Sequence, residues 1–107
     1  MEKFIKGDII IIPFPFSDLS GSKRRPAMVL ADDILLCQIT SQQSNDHCAI
    51  ALKITDFVEG SLPVSSFIRP LRIFTADKNI IIRKQGRIKQ SLLEKVFNVI
   101  IDTLKNE

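Results

Sequence analysis

Pro26-Ala27-Met28-Val29-Leu30-Ala31-Asp32-Asp33-Ile34-Leu35-Leu36-Cys37-Gln38-Ile39-Thr40 is the stretch from which the architecture can be read. Two apolar runs, Ala27 to Ala31 and Ile34 to Thr40, flank a pair of aspartates, residues that favour tight turns. The pattern predicts a β-hairpin turning at Asp32-Asp33, so that the far ends of its strands, near Arg25 and Thr40, lie side by side. Upstream, Gly7-Asp8 opens the β-branched run Ile9 to Ile12, which predicts a strand buried on both faces and ended by Pro13. From Phe14 to Arg25 periodicity is lost, and Pro15, Asp18, Ser20, Gly21 and Ser22 collect in a loop of about twelve residues, a length that is usually functional or disordered.

Downstream, Ser41 to His47 is polar throughout and reads as a second loop, followed by a strand at about Cys48 to Leu52. Asp56 to Pro63 reads as a connection. Strand character resumes from Ser65 to Thr75, where Pro70 demands an edge position or a bulge, and again from about Ile81 to Ile88. Ser91-Leu92-Leu93-Glu94 has capping-box spacing and predicts a helix to about Lys105. Its apolar residues Leu93, Val96, Phe97, Ile100 and Leu104 recur at helical spacing, widened by Leu92, Val99 and Ile101, an arc broad enough to pack on a sheet and still reach a second copy. Short strands in quick succession and one closing helix predict a mainly β (α+β) fold: an SH3-like small barrel of antiparallel strands with a C-terminal α-helix.

The chain has 107 residues, 45% hydrophobic and 25% charged, an ordinary globular composition and the size of one domain over residues 1–107. No apolar run approaches the ~20 residues of a membrane-spanning helix, and the N-terminus does not resemble a signal peptide, so a cytoplasmic protein without a membrane role is expected. Cys37 and Cys48 lack CxxC spacing and are expected to be buried, reduced thiols.

Net charge is +3, and placement matters more than size. Lys23-Arg24-Arg25, Arg69 with Arg72, and Arg83-Lys84 with Arg87 and Lys89 form three cationic clusters. Any one alone is ordinarily a solvated face; three in so small a chain point to a polyanion, nucleic acid first. The chain has no Tyr, no Trp and one His. His47 stands without a second histidine or a nearby carboxylate cluster, so no metal site and no cofactor is expected. The GxSxG elbow, the phosphate-binding Gly-rich loop and HExxH are all missing, which leaves Arg, Thr, Ser and Asp for any chemistry. Arg25 beside Thr40 outlines a phosphate site, since guanidinium offers planar paired donors and a fixed charge that favours a pentacoordinate phosphorane over the starting diester. In a bare sheet, a surface arginine and a strand-end threonine remain the plainer reading of that pair.

Gly7-Asp8-Ile9-Ile10, Pro13-Phe14-Pro15-Phe16-Ser17-Asp18-Leu19-Ser20-Gly21-Ser22-Lys23 and Arg25-Pro26-Ala27-Met28-Val29-Leu30 resemble the opening of MazF/PemK-family toxins. Ile39-Thr40-Ser41-Gln42 resembles their second motif, and Ser66-Phe67 with Thr75-Ala76-Asp77 their third, so the likeness runs from Phe4 to the C-terminal helix. It implies a homodimeric SH3-like barrel, the toxin of a type II toxin-antitoxin pair, that cleaves single-stranded mRNA at short sequences without a metal and is silenced by a cognate antitoxin. By the same likeness Arg25 and Thr40 match the catalytic pair, and the substrate's own 2′-hydroxyl is the nucleophile, leaving 2′,3′-cyclic phosphate and 5′-hydroxyl ends. Arg25, as a guanidinium, suits charge neutralisation and leaving-group protonation better than general-base work; Asp18 and His47 are candidates for the base.

Bases splayed from single-stranded RNA are read by stacking and at their edges. Phe14 and Phe16 are candidates to stack, although anchoring the loop in the core is the commoner task. Ser17, Asp18, Ser41 and Gln42 are polar enough to contact bases, and Lys23, Arg24, Arg69 and Arg72 to hold phosphates. Arg72 departs from the family pattern, where another polar side chain is frequent. Two alternatives stand beside the nuclease: a CcdB-like toxin that inhibits DNA gyrase, and a non-catalytic SH3-like binding module. Arg25-Pro26 with Thr40-Ser41 favours the nuclease, because a gyrase binder has no need of a phosphate-holding rim. The antitoxin is expected to be acidic, with a flexible tail that folds over the cationic groove.

Overall fold

Alternation sets the faces of the central strands. In the computed structural model, which describes residues 3–14, 23–31, 35–41 and 47–106, Ile9 to Ile12 are all buried, as a two-sided strand requires. This strand, β1 (Asp8–Phe14), is followed by β2 (Lys23–Ala31), β3 (Leu35–Thr40), β4 (Ile50–Leu52), β5 (Phe57–Gly60), β6 (Ser66–Thr75), β7 (Arg83–Ile88) and α1 (Gln90–Lys105). The seven strands form one antiparallel sheet in the order β4-β6-β3-β2-β1-β7-β5.

That order dictates curvature. The two edges, β4 and β5, are consecutive in sequence, and the steps from Leu52 to Phe57 reach at most about 18 Å. In a flat sheet of this width the edges would stand about 29 Å apart, six strand spacings. The sheet therefore curls into a strongly bent half-barrel of the SH3-like kind, and a short 3₁₀ turn, Ile54–Asp56, joins its two lips.

Curling creates two apolar layers. Ile9, Met28, Cys37, Ile39, Ile50, Leu52 and Ile68 point inward and meet Leu92, Leu93 and Val96 of the helix. On the other face Ile10, Ile12, Ala27, Val29 and Leu36 are covered by Phe4 and by Phe74, Ala76 and Ile81. Each aliphatic side chain so enclosed contributes about 1.5–3 kcal/mol relative to exposure.

The predicted hairpin is present as β2 and β3, with Met28 opposite Cys37 and Val29 opposite Leu36; its expected turn at Asp32-Asp33 lies outside the described residues, as do positions 15–22 and 42–46 of the two expected loops. Pro13 does not end the first strand. It sits inside β1 opposite Arg24, beyond the point where β7 stops pairing at Ile11, so its missing N–H breaks no ladder on that flank. Pro70 is fully buried in a bulge: the register jumps from Gln38 opposite Arg69 to Cys37 opposite Ile73.

Two further expectations are corrected. Asp56 to Pro63 is not merely a connection, because Phe57–Gly60 pairs with β7; its mostly exposed residues show no alternation to reveal it. The Ser91–Glu94 capping box is also absent. The helix begins at Gln90 with Lys89 as N-cap and no side-chain cap, and Ser91 is already inside the first turn. A tertiary bond anchors the N-cap residue instead: the Lys89 N–H donates to the Asp56 carbonyl (2.8 Å), tying the helix start to the 3₁₀ turn. Leu92, Leu93 and Val96 are buried as the period requires, whereas Ile101 and Leu104 are 46% and 74% exposed. No helix among the described residues is long and apolar enough to cross a membrane.

Candidate functional site

At the rim where β2, β1 and β7 run side by side, Ile11 is opposite Pro26 on one flank and Arg83 on the other. This row floors a cleft of about 290 Å³. Arg24 and Arg25 enter it from β2, Arg83 and Gln85 from β7, Ile39 and Ser41 from the end of β3, and Leu62, Pro63, Val64 and Ser66 form the wall across the mouth. The apolar floor holds the polar groups at the lip, where Arg24, Arg25 and Arg83 border one small volume.

Among the described residues no carboxylate pairs with Arg24, Arg25 or Arg83. Arg83 instead donates from Nε to Gln85 Oε1 (3.3 Å), and Gln85 Nε2 donates to the Ser61 carbonyl (2.8 Å), so a neutral amide orients the guanidinium. The next cations along β7 are tied up. Asp8, fully buried, accepts from Arg87 Nε (2.9 Å) and from the Ile5 N–H (2.9 Å) and lies 3.5 Å from Lys84 Nζ, while Glu59 reaches Lys84 (3.3 Å) and Arg87 (3.8 Å). The hydrogen bond to Asp8 raises the Arg87 pKa.

Arg25 is half-buried at the start of β2 and lines the cleft; Thr40 is half-buried at the end of β3 and does not, whereas its neighbour Ser41 does. The β2–β3 ladder closes at this end with Ala27 opposite Gln38, and two further steps along each strand reach Arg25 and Thr40. By alternation both stand on the face of that pair, the outer one, and not on the Ile39 and Ser41 face. Arg24 is exposed in the cleft. Lys23 is opposite Phe14 in the β1–β2 ladder. Arg69, opposite Gln38, donates from Nη1 to its Oε1 (3.4 Å), and Arg72 is exposed in the β6 bulge; neither lines the cleft. His47 is exposed and likewise outside it. Phe16, Ser17, Asp18 and Gln42 lie outside the described residues.

Sequence reasoning passed over Arg83, Gln85 and Ser66 as site residues. In the sequence Arg83 belongs with Lys84 and Arg87 to one cationic run, which the strand's alternation and a register shift opposite Ile9 and Ile10 divide between two faces. Only the β1–β7 pairing, made across most of the chain, shows that Arg83 shares a row with Pro26.

Nothing in the cleft favours a cation. None of its described lining residues is a carboxylate, histidine or cysteine, and among the described residues no three His, Cys, Asp or Glu side chains gather. Both cysteines are free; Cys37 is fully buried, and burial pushes its thiol up to about 12, while Cys48 is only half-buried, less than expected.

Three solved structures share this fold over nearly their whole length. MazF from Deinococcus radiodurans is 17% identical, with a TM-score of 0.75 over 98% of this chain and 99% of its own. A MazE–MazF complex from the same organism is 17% identical, with a TM-score of 0.77 over 99% and 100%. An endoribonuclease in complex with its cognate antitoxin, from a mycobacterial species, is 13% identical, with a TM-score of 0.71 over 98% and 96%. No curated protein matches the sequence significantly. The model of the PemK-like, MazF-like toxins matches residues 5–104, a span holding all seven strands and all but the last residue of the helix. On that match the chain belongs to the PemK-like, MazF-like toxins of type II toxin-antitoxin systems.

Proposed function

We propose that this toxin is an endoribonuclease that cleaves single-stranded mRNA without a metal, using the substrate's own 2′-hydroxyl. The observation that carries the reading is the cleft at the β1, β2 and β7 rim, where Arg24, Arg25 and Arg83 border one small volume with no described carboxylate to neutralise them. Such a site attracts a phosphodiester and grips it more tightly as its charge grows in the transition state.

In this scheme the 2′-oxygen bonds to phosphorus and the bond from phosphorus to the 5′-oxygen breaks, leaving a 2′,3′-cyclic phosphate and a 5′-hydroxyl. The proton lost by the 2′-hydroxyl is balanced by one gained at the 5′-oxygen. Arg25 neutralises the non-bridging oxygens and supplies the proton to the leaving group; Thr40, reached by extending the β2–β3 register, donates a hydrogen bond to a non-bridging oxygen. Ser41 and Arg24 hold flanking groups of the strand at the same lip, and Phe16, Ser17, Asp18, Lys23, Gln42, Arg69 and Arg72 complete the RNA-binding surface. The enzyme acts as a homodimer in the cytoplasm, and an acidic cognate antitoxin silences it by covering the cationic lip; structural neighbours solved with antitoxins support that partner.

Purified protein incubated with a long RNA in EDTA, followed by sequencing of fragment ends, tests the reaction. Recurrent cuts with 5′-hydroxyl ends are expected; intact RNA, or fragments with 5′-phosphates, would overturn the proposal.

A further inference from the structure

The cleft is walled by cations from two strands that flank β1, and only the β2 wall carries the arginine expected at the scissile phosphate. Pro26, Ile11 and Arg83 form one row, so the β2 and β7 walls stand at most about 10 Å apart, two strand spacings. A volume of about 290 Å³ lies at the small end of ligand pockets and suits a single nucleotide unit. One such unit in a strand is bracketed by two phosphates, one at each end.

We infer that Arg83 binds the phosphate next to the scissile one, and that Gln85 is a positioning residue holding Arg83 toward it; the inference rests on the ribonuclease reading and adds a second phosphate subsite to it. Three observations support it. Arg83 lines the cleft, opposite the wall that carries Arg25. It has no carboxylate partner among the described residues, although Lys84 beside it has two. Its orientation is set at Nε by a neutral acceptor, Gln85 Oε1, itself anchored through Nε2 to the Ser61 carbonyl. An amide in that place steers a guanidinium without cancelling its charge, whereas a carboxylate would do both.

The test uses full-length toxin and a short single-stranded RNA containing one cleavage site, in a series where each phosphate in turn is a neutral methylphosphonate. Arg83→Gln should raise KM roughly tenfold with kcat little changed. It should also reduce the slope of log(kcat/KM) against log salt by about 0.7, the value for one phosphate contact on a single strand. One methylphosphonate adjacent to the cut should weaken the wild type and leave Arg83→Gln indifferent. Arg83→Lys should restore much of the salt slope. Gln85→Glu, which sets a carboxylate against Nε, should reproduce the loss of slope, while Gln85→Asn should keep it. A wild type that cuts RNA while Arg83→Gln keeps its KM, its salt slope and its sensitivity to every methylphosphonate overturns the subsite and leaves the ribonuclease reading standing. A wild type that cuts no RNA overturns the ribonuclease reading itself. Equal stability of Arg83→Gln and wild type to urea separates a binding loss from a folding one.

Discussion

Along β7, neighbouring cations have opposite surroundings. Lys84 and Arg87 meet Asp8 and Glu59, and Arg83 opens onto a cleft shared with Arg24 and Arg25. The difference lies in what each group gives up. Asp8 is fully buried, a position a carboxylate keeps only when paired and hydrogen-bonded, so its cations are structural. Through the Ile5 N–H the same carboxylate pins the N-terminal segment, whose Phe4 covers the outer apolar layer. The cleft arginines have no carboxylate partner among the described residues. On the proposed reading one residue type is scaffold on one face of β7 and ligand on the other, and the strand's alternation decides which.

If this division holds, substitutions at the cleft and in the Asp8 network should fail in different assays. The largest effect is expected for Arg25→Ala: a loss of about 10²–10³-fold in kcat, the scale for removing one donor to transition-state charge, with a thermal midpoint close to wild type. Steady-state cleavage and a melting curve on the same preparation check it. A variant that melts early would place Arg25 with the scaffold instead.

The mirror experiment is Asp8→Ala. It removes the acceptor of Arg87 and Ile5 and leaves two cations facing each other, and about 3 kcal/mol of unfolding free energy should be lost in urea titration. Arg87→Ala should cost less, about 2 kcal/mol, because Arg87 is partly exposed and Lys84 still approaches Asp8. Both variants should cleave RNA at the wild-type rate while folded; a kinetic loss at full folding would erase the distinction between the faces.

A finer cut runs between adjacent residues of β3. Thr40 shares its face with Arg25 by register, and Ser41 lines the cleft. Thr40→Ala is expected to lower kcat by about 10–100-fold, the worth of a hydrogen bond to a charged group. Ser41→Ala should change KM by only a few-fold and leave kcat alone. Reversal of that pattern would move the catalytic hydroxyl from Thr40 to Ser41.

How much of this was legible in the residues follows from the range of the interactions. The hairpin of β2 and β3, the two-sided β1 and the apolar face of α1 are local patterns, and periodicity finds them. The Pro70 bulge is legible for the same reason, since a residue without an N–H in a long strand leaves few choices. Phe57–Gly60 escaped because an exposed edge of four residues has no alternation, and the helix start escaped because Lys89 is anchored by the carbonyl of Asp56, a residue remote in sequence. The site divides the same way. Arg25 and Thr40 are joined by a hairpin and could be paired in advance; Arg83 reaches Ile11 only through pairing of the first strand with the last, and no nearby residue announces it.

The smallest effect isolates the core beneath both faces. Cys37 is fully buried, and its thiol is raised from the ordinary 9.0 to about 12, so the folded state holds this proton more tightly than the unfolded chain. Stability from this source is complete below pH 9 and falls as pH rises toward 12, with a slope of roughly 1.4 kcal/mol per pH unit once the unfolded thiol ionises. By pH 10 the wild type should have lost about 1 kcal/mol that Cys37→Ala, whatever its own cavity costs, does not lose. Every other titrating group is common to both proteins, so the difference between the two pH profiles reports Cys37 alone. Parallel profiles would show that Cys37 is open to solvent in the folded protein, and alkylation by iodoacetamide at pH 8 without denaturant would then label it as readily as Cys48.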